Sequence, residues 1–423
     1  MKFTNWVVKF RIPVLIVTFL LLIPSILGYQ KTRVNYDMLN YLPEDLETVI
    51  GQNELMNDFG KGAFSLIIVE NMSNSDVAAL KAKIEKLEHV NSVIWYDSLA
   101  DVSIPMELLP DKVYKAFNTD HSTLMAVFMD ISTSSEEAIQ TVREMRRICG
   151  KQCFISGMSA LVTDLKDLCE QQEPIYVAIA VAFACASMLL FLDSWLIPFV
   201  FLASIGTMIM INLGTNYFFG EISYITKAIS AVLQLAVTMD YSIFLWNSYN
   251  EQRQKFSDNH EAMAAAIKET LVSVIGSSAT TIAGFIALCF MSFTMGRDLG
   301  IVMAKGTLLG VIGSVTVLPS IILVLDKPLQ KTRHRSVIPN AAGIAKGIVR
   351  IFPVFLVVFV LLIPPAYYGY RKTNSEVYYD MGQCLPDDID FVVAARKLRE
   401  DFNIASTHML LVERDTPSKD IRS

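Results

Sequence analysis

The sequence predicts an α-helical polytopic membrane protein with a small α/β domain inserted outside the bilayer, and three observations predict it. Hydrophobic residues make up 52% of the 423-residue chain and charged residues only 18%, against about 25% charged in a typical soluble domain. The apolar residues gather into seven runs close to the ~20 residues that span a bilayer. Between the first and second runs, a long stretch of mixed polarity repeats a strand-helix-strand pattern.

The first span is expected over 12–29. Lys9 and Arg11 precede it and no small-x-small site follows, so it reads as a retained helix and not as a cleaved signal. Five further runs, 174–192, 195–213, 225–246, 273–293 and 300–325, form a bundle over 174–325. A basic linker, 326–347, separates them from the last run, 348–370. Lys327, Lys331, Arg333, Arg335, Lys346 and Arg350 crowd the link between the sixth and seventh runs, the charge signature of a cytoplasmic loop. Arg253, Lys255 and Lys268 fall on the same side, which puts the N-terminus in the cytoplasm and residues 30–173 outside the cell membrane. The net charge of -6 and the absence of a basic stripe elsewhere exclude a nucleic-acid partner.

Residues 30–173 read as one domain tethered by two spans. Strands are expected at 64–70, 92–96, 124–131 and 153–155, with helices at 75–88, capped by Ser75, and from Ser134 or Ser135 to 148. Two β-α-β units of this size suggest a ferredoxin-like domain. A helix over 157–172 then leads into the second span.

The chain nearly restarts beyond residue 350. Leu21-Leu22-Ile23-Pro24 recurs as Leu361-Leu362-Ile363-Pro364, and Gly28-Tyr29 as Gly369-Tyr370. Tyr36-Asp37-Met38 recurs as Tyr379-Asp380-Met381, Leu42-Pro43 as Leu385-Pro386, Asp58-Phe59 as Asp401-Phe402 and Val69-Glu70 as Val412-Glu413, all at an offset of 343 residues. Residues 371–423 are therefore expected to begin a second outside domain, cut short, in an N-terminal fragment whose partner is the missing C-terminal half of the same protein.

The residue that points to chemistry is Asp240, about 9 Å along the fourth span from Trp246. An ionisable group inside a membrane helix costs about 2.5 to 3.5 kcal/mol on insertion scales and marks an ion or proton pathway by default; the plainer reading is a packing contact to a neighbouring helix. Tyr241 adjoins it, and Gln234, Thr238 and Tyr241 share one helix face, a polar seam beside the carboxylate. Ser277, Ser278 and Thr281 on the fifth span supply small hydroxyls suited to close helix packing or proton relay. Lys227 reads as snorkelling to the interface, and Asp193, Glu221, Asp298 and Asp326 as interfacial acids at span ends.

No ATP motor is written in the chain. Gly60-Lys61 lacks the rest of a phosphate loop, and neither H-E-x-x-H nor G-x-S-x-G occurs. Neither a cofactor motif nor metal-ligand spacing is found among the six cysteines, of which Cys149, Cys153 and Cys169 fall in the outside region. Cys149 and Cys153 could be bridged, but three outside cysteines favour free thiols.

Asp240, Tyr241 and Phe244 match a Gly-x-x-x-Asp-Tyr-x-x-Phe pattern in which Ala236 replaces the glycine, and Ser278-Ala-Thr-Thr281 with Gly284-Phe285, Leu299-Gly300 and Val317-Leu-Pro-Ser320 accompany it. With the duplicated layout, these residues make the chain resemble the RND superfamily, most closely its MMPL branch. The resemblance implies an RND-type helix bundle carrying a porter domain. It implies a secondary active transporter, not an enzyme, in which Asp240 and Tyr241 form half of a proton relay completed by a matching pair in the second repeat. It further implies proton-driven export of amphipathic or lipid-like small molecules from the membrane, with homo-oligomers among the assemblies to be considered. A Patched-like lipid-sensing receptor and a protein-export accessory are the alternatives on the same scaffold.

Overall fold

The computed structural model describes residues 2–98, 111–133, 135–334, 342–376, 385–405 and 410–412. Ser134, Arg335, Tyr379-Asp380-Met381, Cys384 and Glu413 lie outside these described residues. Among the described residues, seven helices are long and apolar enough to cross a membrane.

A short helix α1 (Lys2–Lys9) bends at Phe10 into α2 (Arg11–Lys31), the first of the seven. There follow β1 (Arg33–Asn35), α3 (Glu47–Asn57), β2 (Ala63–Glu70), α4 (Asn74–Ile84), β3 (Val90–Ile94), α5 (Asp111–Phe117), β4 (Ser122–Met129), α6 (Glu136–Cys149) and β5 (Cys153–Ser156). β2 to β5 form one antiparallel sheet in the order β3-β4-β2-β5. Side chains alternate along β2, as the period-2 pleat requires. Ile67 and Val69 meet Val77, Leu80 and Ile84 of α4 and Val142 and Met145 of α6 on one face, while Leu66 and Ile68 look to the other.

Two helix starts are set by serines. The Ser73 hydroxyl, and not that of Ser75, accepts from the Asp76 N–H at 3.2 Å, and Ser135 caps α6 through the Ala138 N–H at 3.1 Å. The strand expected over 92–96 ends at Ile94 because Trp95 and Tyr96 turn inward and fill the core. Cys149 and Cys153 are free thiols.

α7 (Met158–Phe191) carries the helix expected over 157–172 straight into the second span. Pro174 sits inside it without ending it, so the sheet and the membrane segment share a continuous rod. α8 (Ile197–Gly214) and β6 (Glu221–Ser223) follow, and β6 pairs parallel with β1, fastening the chain that leaves the first span to the chain that enters the fourth. Then come α9 (Tyr224–Gln252), α10 (Asn259–Leu288), α11 (Thr294–Val315) and α12 (Val317–Val324). The sixth membrane helix breaks at Thr316, since Pro319 has no N–H for the Val315 carbonyl. The bundle core is built from Phe201 and Ile205 of α8, Leu245 and Trp246 of α9, Met263 and Ile267 of α10, and Leu318 and Ile322 of α12.

α13 (Asp326–Lys331), α14 (Ala342–Arg350), α15 (Phe352–Glu376) and α16 (Asp390–Phe402) complete the chain. Through its membrane-length part, Phe352–Thr373, α15 has no buried residue. α16 instead lies on the free face of the sheet, where Leu398 packs with Leu66, Ile68 and Leu124, the Asp164 carboxylate accepts the Phe391 N–H at 2.8 Å, and Lys397 pairs with Glu70.

Candidate functional site on the fourth span

α9 starts where Ser223 accepts from the Thr226 N–H at 3.0 Å, and its 29 residues place polar groups on two separate faces. Gln234, Thr238 and Tyr241 follow one another at helical spacing and are all buried. Asp240 is not on their face. At ~100° per residue it is turned well away from Gln234, and it stands exposed in a stripe with Leu233, Ala236 and Phe244. The expected seam beside the carboxylate thus divides into an interior seam and a lateral flank. Among the described residues, Asp240 has no hydrogen-bond or ion-pair partner.

Tyr241 links the two faces. Its side chain is buried, on the side of α9 that faces Ser277 of α10. Ser277 and Thr280 are exposed on that side of α10, and Thr281 is half-buried, whereas Ser278 turns inward and donates to the Ile275 carbonyl at 3.1 Å. Side chains added at Gly276 or Gly284 would meet nothing. The flank therefore combines a lone carboxylate, a tyrosine hydroxyl and a row of small hydroxyl residues with open space before it.

The interior seam contains two residues that sequence reasoning missed. The Asn212 amide of α8 donates to the Gln234 oxygen at 2.9 Å, and Lys305 of α11 donates to the Asn212 carbonyl, Thr215 and Asn216 at 3.0, 3.0 and 2.6 Å. Lys305 interrupts an apolar run just as Asp240 does, so the rule that found one would have found the other. Helix α11 approaches this cluster through two glycines. A Cβ at Gly306 would lie 2.6 Å from the Asn212 amide nitrogen, and one at Gly310 would collide with the Thr238 hydroxyl.

The charges at the span ends are structural ties. Asp298 accepts from the Ser223 N–H at 2.8 Å and the Thr226 hydroxyl at 2.7 Å, at the positive end of α9. Asp193 accepts from Trp246 at 2.7 Å and pairs with Arg333 at 2.6 Å, and Asp326 accepts from Tyr249 at 3.1 Å and Asn259 at 2.7 Å. Glu221 accepts from Asn35 at 3.2 Å. Lys227 does not snorkel freely; it pairs with Glu173 of α7 at 3.1 Å.

The fold and this flank define a multi-pass membrane protein with a sheet domain threaded into its helix bundle. The family model described as MMPL matches residues 109–341, and the chain belongs to that family, the MMPL branch of the RND superfamily. The chain is 28% identical to the putative membrane protein ActII-3 of Streptomyces coelicolor across 31% of this chain and 19% of that protein. It is 25% identical to the siderophore exporter MmpL5 of Mycobacterium tuberculosis, across 67% of this chain and 30% of the exporter. It is 23% identical to the apo-petrobactin exporter of Bacillus anthracis, across 70% and 40% of the two chains. The chain thus spans well under half the length of these curated relatives.

Proposed function

We propose that this chain supplies one repeat of a proton-driven exporter of amphipathic or lipid-like small molecules, with Asp240 and Tyr241 as its half of the proton relay. The observation that carries the reading is the position of Asp240, an unpaired carboxylate within a membrane-length helix that faces open space and not the packed seam. Such a group is costly toward lipid and is accommodated by a partner helix bearing polar groups. The small residues of α10 leave room for that helix. The exporter names of two relatives support the transport class.

The sheet domain is the extracytoplasmic porter in this proposal. Its strand order and its helices on one face support the ferredoxin-like assignment. The basic residues Arg253, Lys255, Lys327, Lys331 and Arg333 lie at the end of the bundle away from the sheet, which supports a cytoplasmic N-terminus. Continuous helix α7 then joins the membrane segment to the porter, so a tilt at the proton site would reach the sheet as a rigid movement.

In the full-length protein, Asp240→Asn is expected to lower gradient-driven efflux to the level of empty membranes while membrane abundance and thermal unfolding stay unchanged. Efflux at the wild-type rate from the Asn variant would overturn the assignment. Tyr241→Phe removes the hydroxyl beside Asp240 and leaves the carboxyl in place, and a partial loss of roughly tenfold, about 1.4 kcal/mol, is expected.

A further inference from the structure

The first span packs on α8 and α12, and a groove of about 450 Å³ runs between the three helices. Ile12, Leu15, Phe19 and Leu22 of α2 form one wall, and Val317 and Ile321 of α12 form the other. From Ile12 to Leu22 the groove follows α2 for ~15 Å, which is half of a ~30 Å hydrocarbon core and so the depth of one leaflet. Its mean width over that length is about 6 Å, against 10–12 Å for a helix with its side chains.

The walls present hydrocarbon. Two lining residues carry hydroxyls, and each donates within its own helix, Thr18 to the Val14 carbonyl and Thr207 to the Ala203 carbonyl, both at 2.8 Å. The other lining residues are Ile, Leu, Val and Phe. Membrane helices approach one another closely through Gly, Ala and Ser, and none of these lines the groove. Its width and its walls suit a single flexible apolar chain and not a docked helix.

One charge stands at its mouth. Arg11, Leu15, Thr18 and Leu22 share a face of α2, so Arg11 is the last residue of the wall before the chain leaves the apolar run. Its Nη1 donates to the Val8 carbonyl at 3.3 Å, and among the described residues no carboxylate pairs with it. Most of its five N–H donors are therefore free to meet a phosphate, whose oxygens match the planar fork. Trp6 and Phe10 are exposed beside it with ring centroids 5.5 Å apart, an aromatic pair suited to headgroup depth.

We propose that this groove binds one phospholipid of the leaflet on the Arg11 side, with the phosphate on the Arg11 guanidinium and one acyl chain laid along α2 as far as Leu22. The lipid is a resident ligand and not cargo. Its site belongs to α2, α8 and α12, whereas the Asp240 flank belongs to α9 and α10, so the inference does not rest on the transport reading. A chain held there ties the first span to the sixth beside the break at Thr316.

The test is photolabelling of full-length protein in phosphatidylethanolamine vesicles doped with a phosphatidylglycerol that carries a diazirine at the end of one acyl chain. Labelled peptides are counted by mass spectrometry, and Phe183, exposed on α7 and not part of the groove, reports the ordinary lipid shell. Residues 19–22 are expected to be labelled about tenfold more than Phe183, and Arg11→Gln to remove that excess, the weight of one hydrogen bond to a charged group. Arg11→Lys keeps a cation and should retain the excess to within about threefold. Thr207→Phe fills the groove without touching Arg11 and should remove the excess, while Asp240→Asn should leave it unchanged. Equal labelling at the two places, an excess that persists in Arg11→Gln or in Thr207→Phe, or absence of label from the groove would each overturn the site. Loss of the excess on adding a transported amphiphile would overturn its assignment to a resident lipid.

Discussion

The two polar regions of α9 differ in how their groups are supported. In the seam, Gln234, Thr238 and Asn212 are buried, and Gly306 and Gly310 let α11 press directly upon them. On the flank, Asp240 presents an ionisable carboxyl group, and neither packing nor a partner among the described residues surrounds it. Inside a membrane bundle, neutral amides and hydroxyls act as packing contacts worth about 1 kcal/mol each. In the proposed function, the outward-facing Asp240 is the group that a partner from elsewhere would meet. On that proposal the difference separates what builds the bundle from what works on it.

The strongest way to break this comparison is to disturb the seam. Gly310→Leu drives a side chain into Thr238 and is expected to cost about 3 kcal/mol, seen as a lower unfolding temperature in detergent. A change under ~0.5 kcal/mol would mean that the seam is not tightly packed. Lys305→Met leaves the Asn212 carbonyl, Thr215 and Asn216 without their donor, and a loss of about 2 kcal/mol is expected in the same assay. Asp298→Ala removes acceptors from the start of α9 and should cost about 1 kcal/mol, with hydrogen exchange quickening first near Ser223 and Thr226.

The smallest effect sharpens the contrast from outside the bundle. Asp37 is buried, accepts the Leu39 N–H at 2.9 Å through one oxygen and leaves the other unpaired, and burial pushes its carboxyl above the usual range. A carboxyl raised on folding is favoured in its neutral form. Its contribution is therefore present below the unfolded carboxylate value and lost as pH rises through the folded one. Asp37→Asn keeps an acceptor for Leu39 without the charge, so it should be more stable than wild type at neutral pH. That advantage should shrink as the pH is lowered through the carboxylate range. A pH-independent difference in unfolding temperature would contradict this.

Much of the membrane architecture was legible because it rests on local composition. Seven apolar runs became seven membrane-length helices, and strand-helix alternation in the insert foretold β2 to β5 with α4 and α6, though not α5. The helix over 157–172 does lead into the second span, and because Pro174 is tolerated inside it the two are one helix, α7. The errors have physical causes. Lys227 was read from its long stem alone, and its partner Glu173 lies on a different helix. Asp240 was grouped with Gln234 by nearness in sequence, although helical rotation turns it to another face. Lys305 was passed over because it sits in an apolar run, and its three acceptors come from the end of α8 and the turn just after it. The seating of α16 on the first sheet was out of reach, because it depends on contacts more than 300 residues apart, such as that between Lys397 and Glu70.

The most direct test of the central claim is to count protons. Full-length protein in sealed vesicles with an internal pH dye should move protons when substrate is added across the membrane, and Asp240→Asn should bind substrate equally well but move none. Substrate-driven proton movement that survives in Asp240→Asn would contradict the assignment of the flank as the proton site.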